Sequence, residues 1–239
     1  MRIVDWFPEP KKLLKYEFDT LRFCSENFYY NNEMTTLADA ATKCYKKYYH
    51  NFVKPNRLSS FRFDFETNFN IIIGGKEGTA YIGALIELSD DDTIKNVSYY
   101  AAIAGKGESK LLRKFHFDYV PVEPASSSYR QPHPVFHLQY AGELSRKLQE
   151  MGLTNSHMDE KLKEPRLYYS PISLALLINL IVVEFSGEKT WKLTRNPEWR
   201  SMIRKNEDLI LKPFYQRCCD FFSNRDNNKL FTNDFYYGN

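Results

Sequence analysis

The amino-acid sequence predicts an α+β fold: an N-terminal pair of helices, a central antiparallel β-meander of about five strands, and C-terminal helices packed on one face of the sheet. Two patterns support this prediction. Several segments between residues 61 and 140 alternate apolar and polar residues, as half-buried strands do, and the flanking segments repeat apolar residues at a helical period. We therefore expect a single domain over residues 1–239, with the helical pair in 1–55, the sheet in 56–140 and the helical C-terminal part in 141–239.

Two helices are predicted before the sheet. The first covers residues 9–30, with an apolar stripe that runs from Leu13 to Phe28, and the second covers 33–50. The second helix also has a small basic face. Such a face is typical of a solvated helix surface, and a contact with phosphates is the alternative. The basic face consists of Lys43, Lys46 and Lys47.

The predicted strands place aromatic residues on one parity and polar residues on the other. Residues 61–66, 114–119 and 135–140 alternate in this way, and two less polar runs, 79–88 and 96–104, lie between them. Most of their connections are short and rich in Gly, Ser and Asp, which favours hairpins over crossovers and therefore a meander. We expect the aromatic parity to face a layer of helices. The polar parity includes Arg62, Asp64, Glu66, Lys114, His116, Asp118, His137 and Gln139.

The second half of the chain predicts helices and an aromatic tail. Ser170 and Pro171 form a cap-plus-proline start for a helix that is apolar nearly all round, which indicates burial on several sides. Asn196 and Pro197 predict a further helix, which Pro213 is expected to kink. The final segment is expected to dock on the protein itself or in the groove of a partner. Its aromatic residues are Phe231, Phe235, Tyr236 and Tyr237.

Composition narrows the classes of protein that fit the sequence. A net charge of +3 and 43% hydrophobic residues indicate an ordinary globular chain without the dense basic stripe of a dedicated nucleic-acid binder. Four cysteines without a CxxC spacing predict free thiols in a reducing compartment. The N-terminus does not resemble a signal peptide, and the longest apolar run, 172–183, is too short to span a bilayer. We therefore expect a cytoplasmic protein without a membrane segment.

His116, Asp118 and His137 are the candidate catalytic residues. In a meander they lie on neighbouring strands and share one face, so the two imidazoles and the carboxylate could converge as metal ligands or as a general base with its partner. The alternative is a set of polar side chains hydrogen-bonded within the sheet. No HExxH, P-loop or GxSxG motif is present, and Asp64 and Glu66 lack the acid-x-lysine pattern of a nuclease core. We expect neither a cofactor nor a resident metal, with a metal-dependent hydrolase or nuclease as the alternative hypothesis.

Two further groups of residues are candidates for binding. Arg62 and Lys114, together with the lysines of the second helix, would form a nucleic-acid-binding surface, which is a third hypothesis. Arg166 precedes the apolar helix and is expected to pair with a sheet-face acid such as Asp118 or to contact a protein partner. The candidate partner-binding residues are Arg166, Phe235, Tyr236 and Tyr237.

Three segments of the second half resemble a known pattern: HPVFHLQY at 133–140, PRL at 165–167 and SPISLAL at 170–176. Their succession resembles uncharacterised bacterial proteins of mobile or antiviral-defence gene neighbourhoods. The resemblance implies no activity, but it suggests a small subunit that works beside a larger enzyme. The leading hypothesis is therefore a non-enzymatic binding protein, an accessory subunit of a bacterial antiviral-defence complex, whose partner is a larger subunit or a second copy of itself.

Overall fold

An antiparallel sheet of six strands forms the middle of the molecule. The computed structural model describes residues 8–29, 31–53, 58–119, 136–140, 144, 146–154, 166–185 and 187–231. In those ranges each strand pairs with its neighbour in chain order, which confirms the predicted meander. The strands are β1 (Arg62–Ile73), β2 (Lys76–Leu88), β3 (Ile94–Gly105), β4 (Leu111–Tyr119), β5 (Phe136–Tyr140) and β6 (Arg166–Tyr168).

The last strand, β6, was not expected from the sequence. It has only 3 residues, too few to show an alternating pattern, and it is extended because it pairs with β5. Its position adds an edge to the sheet beside His137 and Gln139.

Helices precede and follow the sheet, as predicted. They are α1 (Pro10–Asn27), α2 (Thr35–Val53), α3 (Arg146–Glu150), α4 (Leu174–Glu184), α5 (Glu188–Trp191), α6 (Pro197–Asn206) and α7 (Lys212–Asn224). A 3₁₀ turn, Lys192–Arg195, joins α5 to α6, and a π-helical turn, Glu207–Leu211, joins α6 to α7. The predicted irregularity near Pro213 is this wider turn, which leads into a helix with proline in its first turn, where the missing N–H is tolerated.

The start of α4 differs from the prediction. The helix begins at Leu174, and its cap is Ser173, whose hydroxyl accepts a hydrogen bond from the N–H of Leu176 at 3.4 Å, rather than Ser170. Ser170 and Pro171 lie in the segment before the helix. The cap at Asn196 is confirmed, because its side chain accepts hydrogen bonds from two N–H groups of α6.

The aromatic parity of the sheet forms the main core, as expected. α1, α2 and α4 pack against this face, so that Phe18 of α1 contacts Phe63 of β1 in an edge-on arrangement, with ring centroids 5.7 Å apart. Most residues of α4 are buried, as its largely apolar sequence predicted. Trp199 of α6 is fully buried, and its indole N–H donates to the side-chain oxygen of Asn179 at 3.0 Å.

A second, smaller cluster lies on the opposite face of the sheet. Leu148 of α3 and the following Leu153 pack on Ala102, Ala104 and Leu111 of β3 and β4. The polar parity of the sheet is therefore partly covered by α3.

Candidate functional site

Two rows of polar residues cross the sheet on the face opposite the main core. The strand register places Ser98, Asp118 and His137 side by side on β3, β4 and β5. The next row, one step along the strands, contains Tyr100 and His116. The sequence prediction that His116, Asp118 and His137 share one face is therefore consistent with the register.

Asp118 is bonded on both sides within its row. Its carboxylate accepts a hydrogen bond from the hydroxyl of Ser98 at 2.5 Å, and its other oxygen lies 3.5 Å from Nε2 of His137. Burial on its own raises the pKa of Asp118, but the hydrogen bonds from His137 and Ser98 outweigh it and hold the pKa below its usual value. His137 is 2% exposed. The pair is thus a closed structural contact between β4 and β5.

His116 has different neighbours. Its ring stacks on Tyr100, with centroids 5.8 Å apart, and the hydroxyl of Tyr100 donates to the carboxylate of Glu66. Burial, and then the nearby charge of Lys114, lowers the pKa of His116 to about 4. The imidazole is neutral at pH 7 and is a weak base, since general bases work best with a pKa near the operating pH.

The tyrosine reaches Glu66 by lying across Gly83 of β2. A side chain at this position would meet the ring of Tyr100, because a Cβ placed there would lie 2.1 Å from Cε1. The glycine therefore permits a contact that links β3 to β1 over the strand between them.

The candidate catalytic residues are not gathered into one metal-binding cluster within the described part of the chain. Among the residues that the structure describes, no three His, Cys, Asp or Glu side chains are placed to hold a metal ion. Asp118 and His137 are brought together, whereas His116 lies in the adjacent row, beside Tyr100. The arrangement corresponds to the alternative considered from the sequence, polar side chains bonded within the sheet.

The candidate basic residues are split between two environments. The three lysines of α2 are exposed. Arg62 is also exposed, but its guanidinium contacts the carboxylates of Glu87 at 2.6 Å and Asp64 at 3.3 Å. Lys114 is only 4% exposed, because it is paired with Ala102 in the region that α3 covers. Lys114 therefore does not lie on an exposed surface with the α2 lysines, and its role in nucleic-acid binding stays a prediction.

The candidate partner-binding residues are largely outside what the structure describes. The backbone of Arg166 lies on β6 opposite Gln139, and its side chain is outside the described part. Phe235, Tyr236 and Tyr237 lie outside the described residues. Their proposed roles stay predictions.

A cleft of about 660 Å³ opens between α2, β1 and α3. One wall is the polar side of α2, the floor is the stretch of β1 from residue 64 to residue 68, and the far wall is apolar. This volume is in the range of clefts that bind ligands. The charged and the larger apolar residues of its lining include Asp39, Lys43, Lys47, Asp64, Glu66, Tyr81, Leu148 and Met151.

Charges of both signs face this cleft. Lys43 and Lys47 lie one helical turn apart on the α2 wall, and Asp64 lies on the floor. The described ion pair of Asp64 is with Arg62, and neither lysine forms an ion pair with a described residue. The ammonium of Lys47 instead lies over the ring of Tyr48, 4.5 Å from its centroid, and the hydrogen bond that it donates to Tyr48 raises the pKa of Lys47. Both ammonium groups are exposed, and a ligand of Lys47 would share it with Tyr48.

A buried acid, Glu17 on α1, was not among the residues predicted from the sequence. Its carboxylate accepts the hydroxyl of Tyr99 at 2.6 Å and the N–H of Leu174, the first residue of α4, at 3.3 and 3.4 Å. Burial raises the pKa of Glu17 to about 7, and the bonds from Tyr99 and Leu174 oppose that rise. Its position four residues after Leu13 and four before Leu21, within the apolar stripe, was the available signal.

Comparison with protein-family models, with curated proteins and with solved structures finds no significant match. Within the described ranges, no helix is both long enough and apolar enough to cross a lipid bilayer.

Proposed function

We propose that this chain is a non-enzymatic binding protein, a cytoplasmic accessory subunit of a bacterial multi-protein complex, and that the cleft between α2, β1 and α3 receives a partner. The observation that supports the proposal is the cleft itself, an open site of about 660 Å³ with two exposed lysines on one wall and apolar side chains on the other.

The environments of the candidate catalytic residues favour binding over catalysis. Asp118 is engaged by Ser98 and His137, and burial keeps His116 neutral with a pKa of about 4. These side chains join β3, β4 and β5 through hydrogen bonds and a ring contact. They are not among the residues that line the cleft. The role in antiviral defence follows from the resemblance of the second half of the chain and forms part of the proposal.

The test is reconstitution of the complex with the products of neighbouring genes in the source genome. The full chain is co-expressed with each neighbour, and the mass of the purified assembly is measured by light scattering after size exclusion. We expect a stoichiometric complex that survives the change His116→Gln and is weakened by Lys43→Glu with Lys47→Glu. A monodisperse chain that binds none of these neighbours would contradict the proposal.

Metal analysis of the same samples tests the alternative hypothesis. We expect no stoichiometric metal in the purified chain. Bound zinc, manganese or iron that is lost in the variant His116→Gln with His137→Gln, together with hydrolytic activity that is lost in parallel, would replace the binding function by a metal-dependent hydrolase. Circular dichroism of the variants checks that the sheet remains folded.

A further inference from the structure

The basic wall of the cleft is suited to bind a carboxylate. Lys43 and Lys47 are separated by four residues, so their side chains rise from the same side of α2. Two ammonium groups at this spacing can both contact one acidic side chain, and each hydrogen bond to a charged group is of the stronger kind. The interaction is worth most where the cleft excludes part of the solvent.

The far wall of the cleft is suited to bind an apolar side chain. Met151, which follows α3, is 47% exposed, and Leu148 and Tyr81 lie beside it along the cleft. An exposed methionine beside an aromatic ring is an adaptable apolar surface, because its flexible thioether fits ligands of different shape. The basic side chains of the cleft come from α2, and these apolar ones come from β2 and from the segment of α3 and Met151.

The acids of the cleft disfavour a nucleic acid. A nucleic-acid strand carries one charge for each nucleotide, at about 3.4 Å intervals per strand in a duplex. It could not follow the α2 wall without bringing phosphates close to Asp39 on that wall and to Asp64 on the floor. A peptide can place one carboxylate on the lysines and neutral groups against the acids.

We propose that the cleft binds a short peptide segment of a protein partner, in which an aspartate or glutamate contacts Lys43 and Lys47 and a neighbouring aliphatic or aromatic side chain packs on Met151 and Tyr81. This inference rests on the proposed binding function and names the chemistry of the segment that is bound. The cleft holds a few residues, so the rest of the partner lies outside it.

The test uses an unbiased peptide library. Phage displaying random 12-residue peptides are selected on the immobilised full chain, on the variant Lys43→Glu with Lys47→Glu, and on a control variant, Lys15→Glu with Lys46→Glu. The control makes the same change of net charge at two exposed lysines that do not line the cleft. Thermal unfolding of the three proteins verifies that each is folded.

The expected result is a set of peptides that are enriched on the wild-type chain and on the control but not on the cleft variant. They should share an acidic residue within two positions of Leu, Ile, Met or Phe. A fluorescent copy of the leading peptide should bind the cleft variant at least tenfold more weakly than the control, and Met151→Ser should also weaken it. Enrichment of basic peptides, or equal binding by all three proteins, would overturn the inference.

A labelled 12-nucleotide single strand is measured in parallel. Binding of this strand that weakens with salt and falls in both lysine variants, without peptide selection, would make α2 a nucleic-acid interface and overturn the inference. A stoichiometric partner that binds equally well to the cleft variant would overturn the inference and leave the binding function standing. These results separate failure of the peptide chemistry from failure of the binding function.

Discussion

Replacing Glu17 by glutamine should change how the stability of this protein depends on pH. The carboxyl of Glu17 is fully buried between α1, Tyr99 of β3 and the first turn of α4. Because burial raises its pKa from 4.5 to about 7, the folded chain holds this proton more tightly than the unfolded chain does. The contribution of the protonated Glu17 carboxyl to the stability of the fold is fully present below pH 4.5 and is lost as the pH rises through about 7.

The size of the effect follows from the pKa values. The interval from 4.5 to about 7, at about 1.4 kcal/mol for each pH unit, corresponds to about 3 kcal/mol of unfolding free energy. This is a large part of the total stability of a typical domain, about 5–15 kcal/mol. The unfolding free energy of Glu17→Gln, measured relative to that of the wild-type chain, should therefore increase by about 3 kcal/mol as the pH rises from 4 to 8.

His116 opposes Glu17 over most of the same range. Burial lowers the pKa of His116 from 6.5 to about 4, so its contribution is present above pH 6.5 and is lost as the pH falls towards 4. Glu17 and His116 therefore change the unfolding free energy in opposite directions as the pH changes, and the two effects offset each other in the wild-type chain. In Glu17→Gln the pH dependence that His116 contributes is no longer offset. The unfolding free energy of the variant should therefore fall steeply as the pH is lowered.

The assay is urea unfolding at six pH values between 4 and 8, followed by tryptophan fluorescence, to which the buried Trp199 contributes. The matched control is Glu26→Gln, an exposed position on the same helix, whose profile should run parallel to that of the wild-type chain. If the profiles of Glu17→Gln and the wild-type chain are parallel within about 1 kcal/mol, the buried carboxyl is not ionised differently in the folded state and the reasoning fails.

Three further substitutions test the packing of the main core and of the sheet. Leu177→Ala in α4 should reduce the unfolding free energy by about 2–5 kcal/mol in urea, because it leaves a cavity in the main core, and a loss below 1 kcal/mol would contradict full burial. Gly83→Ala should lower stability by about 1–3 kcal/mol by displacing the ring of Tyr100, and Tyr100→Ala in the same chain should remove most of this loss. Asn179→Ala leaves the indole N–H of Trp199 without its acceptor; we expect a loss of about 1–3 kcal/mol and altered tryptophan emission, and unchanged emission would argue against the bond.

The architecture could be predicted because one face of the sheet is buried. Alternation of apolar and polar residues fixes which face each strand turns inward, and short connections leave the meander as the simplest topology. Sequence patterns do not predict an element whose structure depends on a strand or side chain that is distant along the chain. β6 is extended because β5 pairs with it, and α4 begins at Leu174, where the carboxylate of Glu17 accepts its first N–H, rather than at Ser170.

The site was only partly predictable for the same reason. Parity placed His116, Asp118 and His137 on one face, but the register decided that Ser98 bonds to Asp118 and that Tyr100 stacks on His116. The cleft could not be anticipated, because Leu148 lies far from Lys43 along the chain and only the packing of α3 on the sheet brings the two walls together.

The small cluster beneath α3 gives the cleft a wall that can open on its own. A helix of 5 residues has no stability in isolation, so α3 depends on Leu148, Leu153 and the backbone hydrogen bonds that join Thr154 to residues 109 and 111. We expect its amide protons to exchange through a local opening, well before those of the main core. A segment bound in the cleft would add contacts to this wall, so part of its binding free energy would appear as slower exchange in α3.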